Sequence, residues 1–292
     1  MRYARILVNP VAGGARSLRW LEHRPLPAGV ELIRCDSRDE MILRSRQAVD
    51  GGLRRLIVVG GDGTLHAAIQ PLAGTDVVLG IVPSGTGNDL AHALGLETAS
   101  DRALEQALDA SPRVIDLGRA GDRVFAGIAG VGIDAAVLEW LDRAGTRVPG
   151  RLRYPWAALR TLRSFVPPRV EIELDERTLS GTISLAALAN SPRYGGGMRI
   201  APRALLDDGL LDLVRVEGLS RMEMTRLLPR VYLGTHVSHP AVRYERVRAA
   251  TLRGPSMLWL HGDGELLCRL GADGVRVEVW PGALQVVGGS LV

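Results

Sequence analysis

Apolar runs four to six residues long alternate with helix-spaced stretches through the first third of the chain. Arg5-Ile6-Leu7-Val8-Asn9-Pro10 reads as a short buried strand ending in a polar loop, Asn9 to Gly14. Leu32–Cys35 is a second strand, and Glu40–Val49 has helical spacing through Ile42 and Leu43. Strand Leu56–Val59, a glycine-rich turn and a helix Leu65–Leu72 come next. They are followed by strand Val77–Val82, the turn Pro83–Asn88, a helix Asp89–Leu94 and a helix around Ala103–Leu108. This alternation predicts a parallel sheet with helices on both faces, whose ligands sit at the carboxyl ends of the strands.

The pattern changes at Val114-Ile115-Asp116-Leu117-Gly118. Beyond it, short strand-like segments dominate: Val124–Ala129, Val170–Leu174, Thr182–Ala189, Leu211–Val216, Val247–Leu252, Met257–Leu260, Leu266–Leu270 and Val275–Val279. Many short strands with polar turns predict a mostly antiparallel sandwich or barrel. The expected fold class is therefore α/β: an N-terminal three-layer domain with a parallel sheet over residues 1–118, then a C-terminal β-rich sandwich domain over 119–281. The closing segment, about 282–292, is expected to return to the first domain.

The 292 residues are 46% hydrophobic, enough for two cores. A net charge of +4 suits an anionic ligand or membrane surface but is too weak to argue for nucleic acid, and no RNA-binding aromatic signature accompanies it. All 36 basic residues are arginine. Without lysine, neither a Walker A loop nor a protein-kinase strand lysine can be present. Cys35 and Cys268 are far apart with no CxxC pattern, the start of the chain is polar, and no apolar run reaches the roughly 18 residues of a membrane span. A cytoplasmic protein is expected, with any membrane contact peripheral. Arg151 to Phe165 mixes four arginines with Tyr154, Trp156 and Phe165, which suits either a lipid interface or an ordinary half-exposed helix.

The candidate chemistry lies in two turns. Gly60-Gly61-Asp62-Gly63-Thr64 ends a buried strand, and its glycines let several N–H groups approach one anion. Asp62 would repel phosphate unless a metal ion or a hydrogen-bond network occupies it, so a divalent cation is expected. Pro83-Ser84-Gly85-Thr86-Gly87-Asn88-Asp89 repeats the arrangement one strand later, with amides and hydroxyls at a helix start. Asp89 reads equally as a plain N-cap. Two such turns after consecutive strands favour a nucleotide site.

At this point the chain resembles the diacylglycerol kinase catalytic family, the lipid kinases that include the bacterial diacylglycerol kinases and the sphingosine and ceramide kinases. The resemblance is carried by Asn9-Pro10 with Gly13-Gly14, GGDGT at 60–64, PSGTGND at 83–89, Val114–Gly118, Gly195-Gly196-Gly197 with Ala201-Pro202, Asp207-Asp208-Gly209-Leu210 and Asp263-Gly264-Glu265. It implies a fold like the NAD kinases and diacylglycerol kinases, and an ATP-dependent lipid kinase acting on a lipid hydroxyl, with diacylglycerol the leading acceptor. Gly60, Gly61, Asp62, Gly63 and Thr64, with Ser84, Gly85, Thr86 and Asn88, would hold ATP, and Asn9 would lie beside its phosphates. Asp62, Asp89 and Asp116 would organise metal and water. Asp263 would be the general base, supported by Glu265. Leu205 and Leu210, through their carbonyls, and Asp208 would ligate a structural Mg²⁺.

Asp-Gly at 263–264 is also a favoured hairpin turn between two strands. His66-Ala67 stands where the family usually has Asn-Glu. His236 and His239 read as a structural pair rather than a metal pair, and His261 either tunes the turn beside it or caps a strand. An NAD kinase-like phosphotransferase and a non-catalytic nucleotide- and lipid-binding regulator are the alternatives. The expected partner is a lipid at a membrane surface, and a homodimer is left open.

Overall fold

The computed structural model describes residues 4–10, 20–96, 101–144 and 153–288. Gly13-Gly14, Arg151 and Leu152 of the sequence reading lie outside them, as does 289–292. The chain divides into two compact units, one running through Leu117 and resumed from Gly282, the other spanning Gly118–Pro281.

In the first unit β1 (Ala4–Val8) lies between β2 (Val30–Arg34) and β3 (Arg55–Gly60), and β3 pairs onward with β4 (Val78–Pro83), all parallel. The end of the last strand, β15 (Val275–Val287), adds beside β4 through Val286 and Leu79. Strands β1, β3 and β4 are buried almost throughout, which is why they read as unbroken apolar runs rather than alternating ones, whereas β2 at the edge is half-exposed. Around them lie α1 (Arg38–Asp50), α2 (Asp62–Leu72), α3 (Asp89–Ala93) and α4 (Asp101–Asp109). Ser37 caps α1 by accepting the Glu40 N–H. Helix α2 starts three residues before its first predicted residue, because Gly61 is extended and serves as its N-cap. Asp62, Gly63 and Thr64 thus form the helix's first turn. Ala4, Ile6, Val8, Ile57, Val59 and Val82 pack against Ala103, Leu104 and Ala107 of α4.

In the second unit the strands pair antiparallel. The ladder runs β14 (Glu265–Arg269), β13 (Trp259–Gly262), β7 (Ile128–Gly132), β9 (Thr178–Ala189), β8 (Arg169–Glu173), β12 (Ala249–Arg253) and the first half of β15. The second half of β9 also pairs with β10 (Leu211–Glu217), which pairs with β11 (Val242–Val247). The long strand β9 is therefore shared, its first residues pairing with β8 and its last with β7 and β10.

Its side chains alternate accordingly. Ala186 and Leu188 join Val170, Ile172, Leu252 and Val277 in the sandwich core, whereas Leu185, Ala187 and Ala189 join a second cluster with Leu162, Met224 and Leu227. That second cluster needs helices the strand-rich pattern does not predict: α5 (Ile133–Ala144), α6 (Arg153–Leu162) and α7 (Arg221–Leu233). The predicted strands Val124–Ala129 and Val247–Leu252 each divide in two, the first around Ala126 and Gly127.

Candidate active site

Strands β3 and β4 end in register, Gly60 opposite Pro83, so the two glycine-rich turns leave the sheet side by side. They also touch. A Cβ on Gly85 would lie 2.6 Å from Gly61 Cα, and one on Gly60 would lie 2.5 Å from Thr64 Cβ. Gly61 and Gly85 are therefore required by close packing of backbone on backbone, and Gly60 by the Thr64 side chain against it, whatever ligand they meet. Asn9, at the end of β1, donates its Nδ2–H to Thr64 Oγ1 at 3.2 Å.

Asp62 is held by a hydrogen-bond network. Its carboxylate accepts the backbone N–H groups of Asn88 at 2.8 Å and Asp89 at 2.7 Å, satisfying the start of α3 from the neighbouring turn. This revises two expectations. The aspartate does not require a metal ion to sit in a phosphate turn, and the amides of Asn88 and Asp89 are already engaged. Asn88 is the left-handed N-cap of α3 (φ 52°), and its side chain both accepts the Gly85 N–H and donates to the Gly85 carbonyl, so it sets the shape of the turn. The groups suited to an anion are those at the start of α2, where Gly61 offers no side-chain cap, and Ser84 Oγ, which is buried without a hydrogen-bond partner among the described residues. Thr86 is exposed at the turn's tip. Asp116, buried on β5 (Pro112–Ala120), accepts the Gly282 N–H at 2.8 Å. His66 is buried, and Gln70 donates to its carbonyl.

Asp263 belongs to the other unit, in the hairpin between β13 and β14. It has φ 52° and Gly264 has φ 83°, so the hairpin reading of this Asp-Gly pair holds. The carboxylate turns back onto the gap between β6 (Arg123–Phe125) and β7. Oδ2 accepts the Ala126 N–H at 2.7 Å, and Oδ1 accepts those of Gly127 and Ile128 at 2.8 and 3.1 Å. A Cβ at Gly127 would lie 2.7 Å from Oδ1, so only glycine admits this clamp. The other side of the same segment is fixed as well. The Gly127 carbonyl accepts the N–H of Asn190, whose Nδ2 donates to the Ala126 carbonyl.

Two residues earlier on β13, His261 Nε2 meets Asp134 Oδ2 at 2.6 Å, with both side chains fully buried. Tyr194 stacks on the His261 ring, and Tyr154 meets Tyr194 edge-on. Asp134, Tyr154 and Tyr194 carry no motif of their own in the sequence. The nearest signal is Gly130, where a Cβ would lie 2.7 Å from Asp134 Oδ2.

The expected Mg²⁺ ligands occupy the turn before β10. Asp208 Oδ1 accepts the Leu210 N–H at 3.1 Å, and Arg246 Nη1 lies 3.5 Å from Oδ2. Asp208 Oδ2 and Asp212 Oδ1 are buried without hydrogen-bond partners among the described residues. Burial pushes the Asp212 carboxyl above its ordinary range, a hydrogen bond from Tyr244 opposes this, and the neighbouring Asp208 adds to it. Two buried carboxylate oxygens, with Arg246 Nη1 3.5 Å from one of them, fit a hard cation with oxygen ligands. Among the described residues no three His, Cys, Asp or Glu side chains converge as a metal cluster, so such a site would need main-chain carbonyls. His236 and His239 do not form one. His236 is buried with Nε2 on the Ile200 carbonyl, and His239 Nδ1 accepts the Ala241 N–H.

The sequence pattern of the diacylglycerol kinase catalytic domain matches residues 3–120, and that of the YegS C-terminal NAD kinase beta sandwich-like domain matches residues 127–288. A diacylglycerol kinase from Mycobacterium tuberculosis is 34% identical, the alignment covering 96% of this chain and 93% of that one. The chain belongs to the diacylglycerol kinase family of lipid kinases. A diacylglycerol kinase from Bacillus subtilis is 27% identical over 91% of this lipid kinase and 90% of its own length. The crystal structure of a diacylglycerol kinase from Bacillus anthracis covers 100% of this chain and 98% of its own at TM-score 0.74 and 17% identity, which supports the fold. As a lipid kinase the protein is a phosphotransferase, and its phosphoryl donor is ATP. No helix among the described residues is long and apolar enough to cross a membrane.

Proposed function

We propose that this lipid kinase transfers the γ-phosphate of ATP to the hydroxyl of diacylglycerol, giving phosphatidic acid. The observation that carries the reading is the contact of the two glycine turns, Gly61 on Gly85, beside the uncapped start of α2. Phosphoryl transfer depends on positioning and charge stabilisation, which backbone amides at a helix start supply without lysine. Ser84 Oγ and Asn9 stand at the same turns, and Asp62 holds the second turn against the first. The diacylglycerol kinase from M. tuberculosis, similar along nearly the whole chain, supports the acceptor.

The general-base role expected of Asp263 moves in this reading to Glu265. The oxygens of Asp263 are engaged with three backbone amides, so the residue anchors the hairpin, while Glu265 opens β14 from that anchored turn. A carboxylate within reach of the lipid hydroxyl gives its proton a route away. Asp208, with the Leu205 and Leu210 carbonyls, would hold a structural Mg²⁺, and Asp212 supplies a further oxygen beside it. When bound, that ion neutralises the two carboxylates and stiffens the turn before β10.

Access to a lipid is consistent with the surface of α6 and α7. Trp156, Leu159, Val166 and Met222 are exposed large apolar side chains, and Arg160, Arg163 and Arg226 are exposed near them in sequence. Aromatic and arginine side chains together suit a peripheral contact with an anionic bilayer.

The test is transfer of labelled phosphate from ATP to a panel of lipids in mixed micelles, with NAD in parallel. Label on diacylglycerol that Glu265→Gln abolishes supports the reading. Label on NAD alone, or ATP binding without transfer to any acceptor, overturns it.

A further inference from the structure

The hairpin that carries Asp263 and Glu265 lies at the end of its sheet and is thinly paired to it. Strand β14 ends the ladder, and among the described residues β13 meets β7 in two residue pairs, His261 with Gly130 and Gly262 with Ala129, before the Asp263 N–H reaches the Ile128 carbonyl at 3.0 Å. The pairing of β13 with β14 shifts register between Leu260 and His261. A strand that slips by one residue turns every side chain to the opposite face, so a ladder this short sets the direction of Glu265 only weakly. The Asp263 clamp fixes the tip of the turn, which leaves the strand entering it to be fixed by other means.

His261 opens that ladder with a polar side chain in a dry place. The ring is 0% exposed, and Asp134, the second residue of α5, is 1% exposed. Asp134 Oδ1 accepts the Ala135 N–H at 2.8 Å and Oδ2 lies 2.6 Å from His261 Nε2, so the imidazole donates from Nε2 to an acceptor-only carboxylate. His261 Nδ1 is buried without a hydrogen-bond partner among the described residues. The bond to Asp134 and the Tyr194 ring stacked on the imidazole, centroids 6.1 Å apart, therefore set its orientation. Gly130 leaves the room for it, since a Cβ there would lie 2.7 Å from Asp134 Oδ2 and 3.1 Å from His261 Nε2. Stability does not call for such a pair. Well-packed apolar side chains of similar volume are often as stable as buried polar partners, or more so, because no desolvation has to be offset. What they cannot supply is direction: apolar contact is non-directional, whereas a hydrogen bond holds its partners at one distance and angle.

We propose that Asp134 and His261 are positioning residues for phosphate transfer: their hydrogen bond ties β13 to the start of α5, holds the hairpin in register on β7, and thereby aims Glu265 at the lipid hydroxyl. The inference rests on the reading of Glu265 as general base and adds what holds that base in place. The pair acts through Glu265, and a misplacement of about 1 Å in a reacting group can cost about a hundredfold in rate.

The experiment replaces the pair by apolar side chains of similar summed volume, His261→Phe with Asp134→Ala, and compares it with His261→Gln, whose amide nitrogen stands about where Nε2 stood. Phosphate transfer from ATP to diacylglycerol is read as kcat and KM. Backbone hydrogen exchange along β13 and β14 is followed by mass spectrometry, with β3 and β4 as the reference. The apolar variant is expected to melt within about 3 °C of wild type. It should lose about tenfold or more in kcat while KM for ATP stays within about twofold. Its hairpin should exchange faster, with β3 and β4 still protected. His261→Gln should keep kcat within about threefold, because it restores the donor to Asp134. On a Glu265→Gln background the apolar pair should cost no more than about a further twofold, since no base is left to aim. A folded apolar variant with wild-type kcat overturns the proposal, as does His261→Gln as slow as the apolar variant, a loss confined to KM, or a loss that multiplies with that of Glu265→Gln. If the apolar variant fails to fold, His261→Gln against His261→Asn, whose shorter amide falls short of Asp134, decides by the same kcat. A wild type that transfers phosphate to no lipid overturns the kinase reading instead, and hairpin exchange then decides alone whether the pair holds the hairpin.

Discussion

Replacing Asp263 by asparagine tests whether this residue is an anchor or a base, because the two roles predict different stabilities. Asparagine keeps the size of the side chain and one acceptor oxygen, which can retain the N–H groups of Gly127 and Ile128. The new NH₂ group then faces the Ala126 N–H, donor against donor, and that amide loses its partner. Hydrogen bonds to a charged group contribute about 1.5–3 kcal/mol each and neutral ones about 0.5–1.5, while a buried donor left unpaired costs about 1–3 kcal/mol. Weakening two bonds and orphaning a third sums to about 3–5 kcal/mol, reduced to about 2–4 because the site is only half-buried. At about 2–4 °C per kcal/mol for a unit of this size, the melting temperature should fall by roughly 5–15 °C. Urea unfolding should show a lower midpoint at unchanged slope. Glu265→Gln, measured alongside, should lose at least about a hundredfold in phosphate transfer, as removal of a general base does. An Asp263→Asn protein that melts within about 1 °C of wild type yet transfers no phosphate would refute the anchor argument and return the base to Asp263.

Other expectations follow from the same geometry. Gly85→Ala places a Cβ 2.6 Å from Gly61 Cα and should separate the glycine turns, lowering ATP affinity at least about tenfold in a nucleotide-binding titration while the β-rich unit keeps its melt. Added Mg²⁺ should raise the melting temperature of wild type but not of Asp208→Ala, read by thermal shift. Burial holds the His236 imidazole below its ordinary value, so on the acid side the unfolded chain binds a proton the folded chain refuses. Stability is then full above the ordinary histidine range and is lost as pH falls through it, levelling once the folded ring also titrates. His236→Gln should show a shallower drop in urea midpoint between about pH 7.5 and 5.5 than wild type. Burial also pushes the Cys35 thiol up to about 11, so alkylation of Cys35 near neutral pH should proceed only when the α/β unit opens.

The parallel sheet was legible because its inner strands β1, β3 and β4 are buried on both faces and lead into glycine-rich turns, a pattern local enough to read along the chain. Helix α7 was not predicted, although Ser220 and Glu223 stand at capping-box spacing with Gly234 behind the helix, because the surrounding strand pattern hides it. The last half of β9 looked like one more core strand. That it feeds two cores depends on helices far off in sequence, which no local period reports. The turn residues at 60–64 and 83–89 were readable as a phosphate site, whereas the reach of Asp62 across to Asn88 and Asp89 was not, since a side chain's partner in a different turn leaves no spacing to read. Asp134 was invisible for the same reason, since the His261 it meets lies on a strand far off in sequence.

The strand Val275–Val287 has a consequence for how the protein comes off the ribosome. Its last residues complete the sheet laid down by the first part of the chain, Val286 against Leu79, with Gly74 donating to the Ala283 carbonyl and the Gly282 N–H reaching Asp116. Until Val275–Val287 has been synthesised, the nascent α/β unit carries β4 as a bare edge, an invitation to pair with a neighbouring chain. Closure must then wait for the contacts most distant in sequence, the slowest kind to form. Production of this kinase should accordingly be more sensitive to loss of the strand Val275–Val287, and to crowding among nascent chains, than a glycine-turn enzyme whose nucleotide unit is made first would suggest.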